Sequence, residues 1–327
     1  MGSEEIILRV NDLKVYFRSI YGLYRVVDGV SFNVYKGEVL SIAGESGSGK
    51  STLVEGVLRL IKPPGFIAGG EVYYRGINLL TLPESQLNNI RWAKISYVPQ
   101  GSMNSLNPVL TIEEQMIDAI IDHTNVTKEE AIKMAIDAIR SVGLPPSIMR
   151  MYPHQLSGGM KQRAIIAMAF SLKPELIIAD EPVTALDAVM VRMVIETFRE
   201  LKKKYGVTLV MVSHDMGVHA ELGDRIVIMY AGKVVEEGPL EEVYSEPLHP
   251  YTKMLLDSIP KLGKKELKGI PGVSPSPLNW PPGCRFHPRC PYAMDICRKK
   301  EPPLIQVKPG RRVACWLYAE YGGGEKL

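Results

Sequence analysis

Long apolar runs are absent from this 327-residue sequence. The longest, such as Ala164–Phe170 and Ile226–Ala231, fall far short of the ~20 residues that a membrane-spanning helix needs. The acidic start, Met1–Glu5, lacks the apolar segment of a secretory signal, so we expect an intracellular protein. A large charge excess is also missing, because 39 Lys and Arg oppose 36 Asp and Glu, which argues against a protein that wraps a polyanion. With 46% hydrophobic residues the chain can bury a core, and disorder is not expected.

Cysteine is scarce and unevenly placed. All 4 cysteines follow Gly283, and more than half of the 24 prolines follow Gly238. The sequence shows no internal repeat and no low-complexity tract. We therefore expect an α/β domain at residues 1–246 and a loop-rich C-terminal extension at residues 247–327, with the boundary near Glu246–His249.

A glycine-rich loop follows the apolar run Val39–Ala43, which predicts a buried strand. The loop is Gly44-Glu45-Ser46-Gly47-Ser48-Gly49-Lys50-Ser51, and an apolar helical pattern begins at Thr52. Glycines let backbone N–H groups turn around phosphate oxygens, and the following helix directs its positive dipole end at them. Lys50 would place its charge beside the β- and γ-phosphates, and the Ser51 hydroxyl would ligate Mg²⁺. The predicted binding residues of this nucleoside-triphosphate site are Gly44, Ser46, Gly47, Gly49, Lys50, Ser51 and Thr52.

A pair of carboxylates ends a second predicted strand. The apolar run Leu176–Ala179 is followed by Asp180 and Glu181. Ligands of open α/β sheets bind at the carboxyl ends of the strands, so these side chains are expected beside the phosphate loop. Asp180 would hold the Mg²⁺ shell, and Glu181 would orient or deprotonate the attacking water.

A second anion site is predicted where Leu156-Ser157-Gly158-Gly159 opens a helical stretch. A serine hydroxyl, free backbone N–H groups and the helix dipole would together attract phosphate. One chain has no use for two such sites on one nucleotide. Two chains arranged head-to-tail do, because each can then close the other's phosphate loop.

These motifs resemble the ATP-binding cassette (ABC) ATPases, whose signature begins Leu-Ser-Gly-Gly. This chain has Met160 next, where the family most often has Gln. The resemblance covers roughly residues 5 to 245. It implies that ATP and Mg²⁺ join this chain to a partner ATPase, with Leu156, Ser157, Gly158 and Gly159 completing the partner's site.

The resemblance assigns roles to three further polar residues. Gln100, after Tyr97-Val98-Pro99, resembles the glutamine that touches Mg²⁺ and faces the transmembrane partner. Asp187, in Ala185-Leu186-Asp187, resembles the aspartate of the D-loop. His214 follows the predicted strand Thr208–Val212 and resembles the histidine that contacts the γ-phosphate. Gln100, Glu181 and His214 are therefore the predicted catalytic residues, and Gln100 and Ser51 the predicted Mg²⁺ ligands.

The family also stacks an aromatic side chain on adenine. Phe17 matches its usual place best, and Tyr16 and Tyr24 are alternatives. An aromatic residue buried in a strand would produce the same pattern, so the assignment rests on the resemblance alone.

The segment His249-Pro250-Tyr251-Thr252, followed by an apolar helical pattern and the cysteines, resembles one subgroup of the family. That subgroup comprises the ATPase subunits of oligopeptide and dipeptide ABC importers, some relatives of which carry sugars or metals instead. Importer subunits of this kind imply a cytoplasmic location at the cell membrane. The implied partners are a paralogous ABC ATPase subunit, two transmembrane permease subunits and an extracytoplasmic substrate-binding protein, with no nucleic acid.

Several interpretations of Cys284, Cys290, Cys297 and Cys315 are open. A disulfide is disfavoured in a reducing cytosol, and zinc sites usually have cysteine pairs closer together in sequence than these. A [4Fe-4S] cluster requires four thiolates in a protected loop pocket, and members of the subgroup carry one on such cysteines. Free thiols are the remaining interpretation, and His287 could replace one ligand. We expect a metal or cluster site that staples the extension.

The predicted fold is therefore α/β, with a P-loop NTPase core of the ABC ATPase type and an antiparallel β layer near the N-terminus. A helical subdomain is expected at about residues 111–172, because Ile112–Asp122 and Lys128–Val142 have helical patterns without a sustained heptad. The predicted function is ATP hydrolysis that powers import of di- or oligopeptides, or of oligosaccharides. The alternative is a soluble ABC ATPase acting on nucleic acid or ribosomes; such proteins carry long coiled-coil insertions or two cassettes.

Overall fold

A computed structural model describes residues 5–259 and 269–319 of the chain. The strands are β1 (Ile6–Ser19), β2 (Gly22–Tyr35), β3 (Val39–Ala43), β4 (Gly65–Tyr74), β5 (Ile77–Asn78), β6 (Ile95–Val98), β7 (Leu176–Asp180), β8 (Thr208–Ser213), β9 (Arg225–Tyr230), β10 (Lys233–Pro239), β11 (Ile305–Lys308) and β12 (Arg311–Val313). The α-helices are α1 (Lys50–Val57), α2 (Glu84–Asn88), α3 (Ile112–Asp122), α4 (Lys128–Ser141), α5 (Gly158–Phe170), α6 (Ala188–Tyr205), α7 (Met216–Leu222), α8 (Leu240–Ser245), α9 (Pro250–Asp257), α10 (Asp295–Lys299) and α11 (Trp316–Ala319). None of these helices has both the length and the hydropathy that crossing a membrane requires.

The chain divides into two compact units. The first comprises Met1–Glu5, Tyr35–Val39 and Thr81–Val212, and the second comprises Ile6–Val34, Leu40–Leu80 and Ser213–Leu327. Both units alternate helices with buried strands, as the α/β prediction requires. The second unit contains the residues on both sides of the predicted boundary near Glu246–His249.

In the first unit, the parallel strands β6, β7 and β8 are hydrogen-bonded in that order. Strands β7 and β8 are buried along their whole length, which explains their continuous apolar sequence. The helices α3 and α4 each begin with a capping box, formed by Thr111 with Glu114 and by Thr127 with Glu130. Both helices pack against each other and against α5, which confirms a helical region between β6 and β7.

The second unit contains two groups of strands. The order β2-β1-β4-β5 forms an antiparallel sheet, which confirms the predicted β layer near the N-terminus. The other group has the order β11-β12-β10-β9-β3, in which only the β3–β9 pair is parallel. The hairpin β11–β12 comes from the C-terminal extension and lengthens the sheet beyond β10, so the extension contributes strands as well as loops.

An apolar cluster joins the extension to the strands of the second unit. The rings of Tyr230 in β9, Tyr251 in α9 and Phe286 lie with centroids 4.6 to 5.4 Å apart. All three side chains are buried, and Leu255 and Leu256 of α9 belong to the same cluster. Buried aromatic side chains contribute strongly to the free energy of folding. This cluster therefore stabilises the packing of the extension against the sheet.

Candidate functional site

The phosphate loop between β3 and α1 has a backbone that only glycine allows. Gly44 has a φ of +151°, and a Cβ placed there would lie 2.2 Å from the carbonyl oxygen of Met229. Gly49 has a φ of +97°, and its Cβ would lie 2.6 Å from the carbonyl oxygen of Val26. Gly47, with a φ of +79°, has no atom within 4 Å of such a Cβ, so only its backbone conformation favours glycine. The loop is therefore fixed at both ends and open in the middle.

Lys50 is the first residue of α1 and is buried. Its Nζ donates to the carbonyl oxygens of Gly44 at 2.8 Å and Glu45 at 3.0 Å, so the ammonium lies inside the curve of the loop. No side chain caps the N-terminus of α1. Ser51 and Thr52 follow in the first turn and are half-buried, while Ser46 is exposed at the loop tip. A cation surrounded by a glycine loop and an uncapped helix start fits a triphosphate and its Mg²⁺.

The three residues of the His-Pro-Tyr segment connect this loop to the extension. His249 caps α9, with its Nδ1 accepting the N–H of Tyr251 at 3.0 Å, and Pro250 occupies the first helical position. The Tyr251 hydroxyl then accepts the backbone N–H of Glu45 at 2.8 Å. Tyr251 is thus a contact of the phosphate loop that the sequence analysis missed, because the two residues are far apart in the sequence.

Asp180 and Glu181 lie at the carboxyl end of β7, as predicted. Asp180 is fully buried and accepts a hydrogen bond from the Tyr97 hydroxyl at 3.4 Å. Glu181 has a φ of +49°, a conformation that costs an L-residue roughly 1–2 kcal/mol. Its N–H donates to the carbonyl of Val212 at 2.9 Å, and its Oε2 accepts from the Thr184 hydroxyl at 3.0 Å. The strained backbone and these two bonds fix the direction of the Glu181 carboxylate.

The signature segment forms a helix start. Ser157 caps α5, and its Oγ accepts the N–H of Met160 at 3.3 Å. Because this bond uses the backbone of residue 160, the replacement of the usual Gln by Met leaves the cap intact. The cap places the start of α5 at Gly158, so this segment opens a helix, as the sequence predicted. Leu156 is buried and anchors the segment before the cap.

The remaining predicted polar residues lie at element ends. Gln100 is exposed two residues after β6, and Asp187 caps α6 by accepting the N–H groups of Val189 and Met190 at 3.0 and 2.9 Å. His214 is exposed directly after β8. These positions fit polar contacts with a ligand, and the roles implied by the resemblance stay predictions.

The predicted site residues fall into two groups. Phe17, the phosphate loop and His214 belong to the second compact unit. Gln100, Leu156, Ser157, Gly158, Gly159, Asp180, Glu181 and Asp187 belong to the first. Within each group, the residues stand at strand ends or helix starts, where polar groups remain available to ligands.

The three candidate aromatic residues differ in surroundings. The Tyr16 hydroxyl donates to Asp28 at 2.6 Å, and burial together with this bond raises the pKa of Tyr16 to about 12. Phe17 faces Gly65, where an added Cβ would lie 2.6 Å from the Phe17 ring. Tyr24 is half-buried near the start of β2. Which ring would stack on adenine stays a prediction in favour of Phe17.

The four cysteines are free thiols, half-buried at Cys284 and Cys290 and buried at Cys297 and Cys315. Burial raises the pKa of Cys290, that of Cys284 to about 11 and that of Cys315 to about 12. Negative charge on neighbouring thiolates adds to this rise, so the thiols lie within electrostatic reach of one another. His287 is bound instead through its Nδ1 to the carbonyl oxygen of Cys284 at 2.9 Å.

The metal site predicted at Cys284, Cys290, Cys297 and Cys315 is not supported by this geometry. Among residues 5–259 and 269–319, no three His, Cys, Asp or Glu side chains form a group that could hold a metal ion. The raised pKa values also favour the protonated thiols, whereas metals bind thiolates.

Comparison with known proteins connects both parts of the chain to one family. A family model described as ABC transporter matches residues 27–184. A second model, described as the C-terminal region of oligopeptide/dipeptide transporters, matches residues 235–297. The two matches cover the phosphate loop, the signature, the carboxylate pair and three of the four cysteines.

Curated relatives match over almost the whole chain. The oligopeptide transport ATP-binding protein AppD of Bacillus subtilis is 44% identical, covering 97% of this chain and 98% of the relative. The dipeptide transport ATP-binding protein DppD of Caldanaerobacter subterraneus is 43% identical, with 96% and 98% covered. DppD of Escherichia coli is 41% identical, with 94% and 96% covered.

A solved structure matches the ATPase part. The ATP-binding cassette MJ0796, in a dimeric post-hydrolysis state bound to ADP and Pi, is 31% identical, with a TM-score of 0.64. The match covers 71% of this chain and 98% of that structure's chain. On its sequence, its fold and these relatives, the chain belongs to the ABC transporter ATP-binding proteins, in the oligopeptide and dipeptide transporter group.

Proposed function

We propose that this chain is the ATP-hydrolysing subunit that powers the import of di- or oligopeptides through an ABC transporter. The observation that carries the proposal is the nearly full-length match to oligopeptide and dipeptide transport ATP-binding proteins. The phosphate loop supports the ATPase part, because Gly44 and Gly49 hold its backbone in a conformation where any Cβ would collide with the carbonyl oxygens of Met229 and Val26. The C-terminal extension supports the peptide-transport part, since its family model carries that description.

The resemblance to ABC ATPases supplies the role that we propose for each residue of the nucleotide site. Lys50 would leave the carbonyl oxygens of Gly44 and Glu45 and bind the β- and γ-phosphates. Bound Mg²⁺ would neutralise charge on these phosphates, held through Ser51, Gln100 and Asp180. Thr52 would contact phosphate from the first turn of α1, and Phe17 would stack on adenine.

Hydrolysis needs a base for the attacking water and a contact to the γ-phosphate. Glu181 would take the proton of the water, with its carboxylate oriented by Thr184 and its backbone held by the Val212 carbonyl. His214 would contact the γ-phosphate from the end of β8. A partner cassette would close the site with its own signature, while Leu156, Ser157, Gly158, Gly159 and Asp187 of this chain would complete the partner's site.

The assembly proposed for this chain has four further components: a paralogous ABC ATPase, two transmembrane permeases and an extracytoplasmic binding protein. The chain would lie at the cytoplasmic face of the cell membrane, with residues 1–246 as the ATPase domain and residues 247–327 as the extension. Closure of the two ATPases around ATP would drive the permeases to release cargo, and hydrolysis would reset them.

The proposal is tested by isolating the chain from native membranes in mild detergent and identifying what accompanies it by mass spectrometry. We expect two multi-span permeases and a second cassette ATPase. Recovery only from the soluble fraction, with nucleic acid or ribosomes, would overturn the transport function and favour the alternative.

The role of Glu181 is tested by Glu181→Gln, which keeps the shape of the side chain and removes its basicity. We expect ATP binding and ATP-dependent dimerisation to persist while turnover falls by about 10²-fold or more. Glu175→Gln, at a carboxylate just before β7, is the matched control and should retain activity. Unchanged turnover of Glu181→Gln would exclude Glu181 as the base.

We also propose that the four cysteines hold a [4Fe-4S] cluster rather than Zn²⁺. The lack of a compact three-residue group in the described part of the chain weighs mostly against a single ion, because in a cluster each thiolate binds a different iron. The raised pKa values apply to the thiols alone, because iron would displace the proton from each sulfur that it binds. Anaerobic purification followed by iron, sulfide and zinc analysis tests this. Metal-free protein with full activity and protease resistance would overturn it.

A further inference from the structure

The phosphate loop carries a negative side chain that the cysteine-containing segment neutralises. Glu45 is the second residue of the loop, and its carboxylate forms a two-point ion pair with Arg289. The Nη1 of Arg289 donates to Oε2 at 2.7 Å, and Nη2 donates to Oε1 at 3.0 Å. Parallel bonds of this kind fix the orientation of the carboxylate as well as its charge.

Arg289 is itself held in place on all sides. Its side chain is only 5% exposed, against 25% for Glu45. Its Nε donates to the carbonyl of Pro271 at 2.8 Å, Nη2 to the carbonyl of Ile270 at 3.3 Å, and Nη1 to the Tyr230 hydroxyl at 3.3 Å. All three guanidinium nitrogens therefore have acceptors, and the fork cannot turn away from Glu45 without losing several bonds.

Two more residues of the second unit bind the same loop position. Ser274 donates its hydroxyl to Glu45 Oε2 at 2.8 Å, and the Tyr251 hydroxyl accepts the Glu45 N–H at 2.8 Å. Glu45 is thus bound by the extension at both its backbone and its side chain.

The charge of Glu45 matters because the loop receives a polyanion. Burial opposes ionisation of this carboxyl, but the bonds from Arg289 and Ser274 and the charges of Arg289 and Lys50 outweigh burial and lower its pKa. Glu45 is therefore ionised at neutral pH. Without Arg289, its charge would repel the phosphates and would compete with them for Lys50.

We propose that Arg289 is a positioning residue of the nucleotide site, which neutralises and orients Glu45 so that the phosphate loop can accept ATP. The cysteine-containing segment of the extension then contributes to ATP affinity without touching the nucleotide. The inference rests on ATP binding by this loop, as in the proposed function, and is independent of the cargo.

The test measures the dissociation constant of a fluorescent ATP analogue, with Mg²⁺, for the full-length chain and its variants. We expect Arg289→Met to raise this constant about tenfold, because an uncompensated negative charge is left in the loop. Adding Glu45→Gln to Arg289→Met removes that charge and should restore affinity to within about threefold of the original chain. The control is Arg312→Met, since Arg312 of the extension also forms a two-point pair, with Glu237 at 2.7 Å for both contacts, but away from the loop.

Recovery of ATP affinity in the double variant distinguishes a positioning role of Arg289 from a purely structural one. If Arg289 only stabilises the fold, Arg289→Met and Arg312→Met will lower the melting temperature alike, and Glu45→Gln will restore nothing. If Arg289→Met does not fold, Arg289→Lys supplies the test, because it keeps the charge but loses the fork and should raise the constant about threefold. An unchanged constant in the folded Arg289 variant would overturn the inference alone. Failure of the unaltered chain to bind ATP would overturn both the inference and the proposed function.

Discussion

Acidification tests how His249 supports the start of α9. Its ring is 1% exposed, its Nδ1 accepts the N–H of Tyr251, and the Phe286 ring lies with its centroid 5.8 Å away. Burial lowers the pKa of His249 to about 3. The neutral ring therefore carries its proton on Nε2, and protonation of Nδ1 would break the cap and place a charge among aromatic rings.

The change in stability on acidification follows, in sign and size, from the pKa values of His249 in the unfolded and in the folded chain. An unfolded chain takes up a proton on this histidine below about pH 6.5, while the folded chain does not do so until about pH 3. The contribution of His249 to the free energy of unfolding is therefore fully present above about pH 6.5 and decreases as the pH falls from there towards about 3. At pH 5 the interval crossed is about 1.5 pH units, which lowers the free energy of unfolding by about 2 kcal/mol from this residue alone.

The assay is urea unfolding at pH 7 and pH 5, with His249→Asn as the matched variant. Asparagine can cap a helix and has no charge to gain, so the variant keeps an acceptor but loses the titration. We expect the original chain to lose about 2 kcal/mol more than the variant between the two pH values. Equal losses in the two proteins would refute the reasoning, because the acid sensitivity would then arise from other groups.

Two further substitutions separate buried from exposed interactions. Arg311→Met breaks a pair with Glu236 in which both side chains are 0% exposed, at 3.0 Å, and should lower the free energy of unfolding by about 3–5 kcal/mol. Lys308→Met breaks an exposed pair and should cost less than about 1 kcal/mol by the same urea assay; equal losses would contradict the assignment. Gly44→Ala should abolish ATP binding because its Cβ meets backbone, whereas Gly47→Ala should retain it with a moderately weaker constant. Similar binding by both glycine variants would show that the loop tolerates a side chain at either place.

The parts of the fold that sequence predicted are those with local signals. Strand β3 covers the predicted run Val39–Ala43, and helix α3 has the predicted bounds Ile112–Asp122. Both have residue patterns that repeat along the element, and α3 also begins with a capping box. The phosphate loop was predictable for the same reason, because its glycines, Lys50 and Ser51 are neighbours in sequence.

The parts that sequence did not predict depend on residues that are far apart. Glu45 meets Tyr251 across 206 positions and Arg289 across 244, and no periodicity connects them. Strand β12 has only 3 residues, in a proline-rich region that favours loops. The antiparallel pairing of β12 with β10 stabilises the extended conformation of this short segment.

The same long-range contacts connect the His-Pro-Tyr segment and Arg289 to the phosphate loop. Glu236 of β10 accepts the N–H groups of Leu248 and His249 at 2.9 Å, which fixes the start of α9. That helix places Tyr251 under the phosphate loop, and Phe286 packs on Tyr251, which brings Arg289 three residues later to Glu45. Consecutive contacts of this series share a residue or a helix. We therefore expect a substitution along the series to affect the phosphate loop more than a substitution at the exposed Lys308 does.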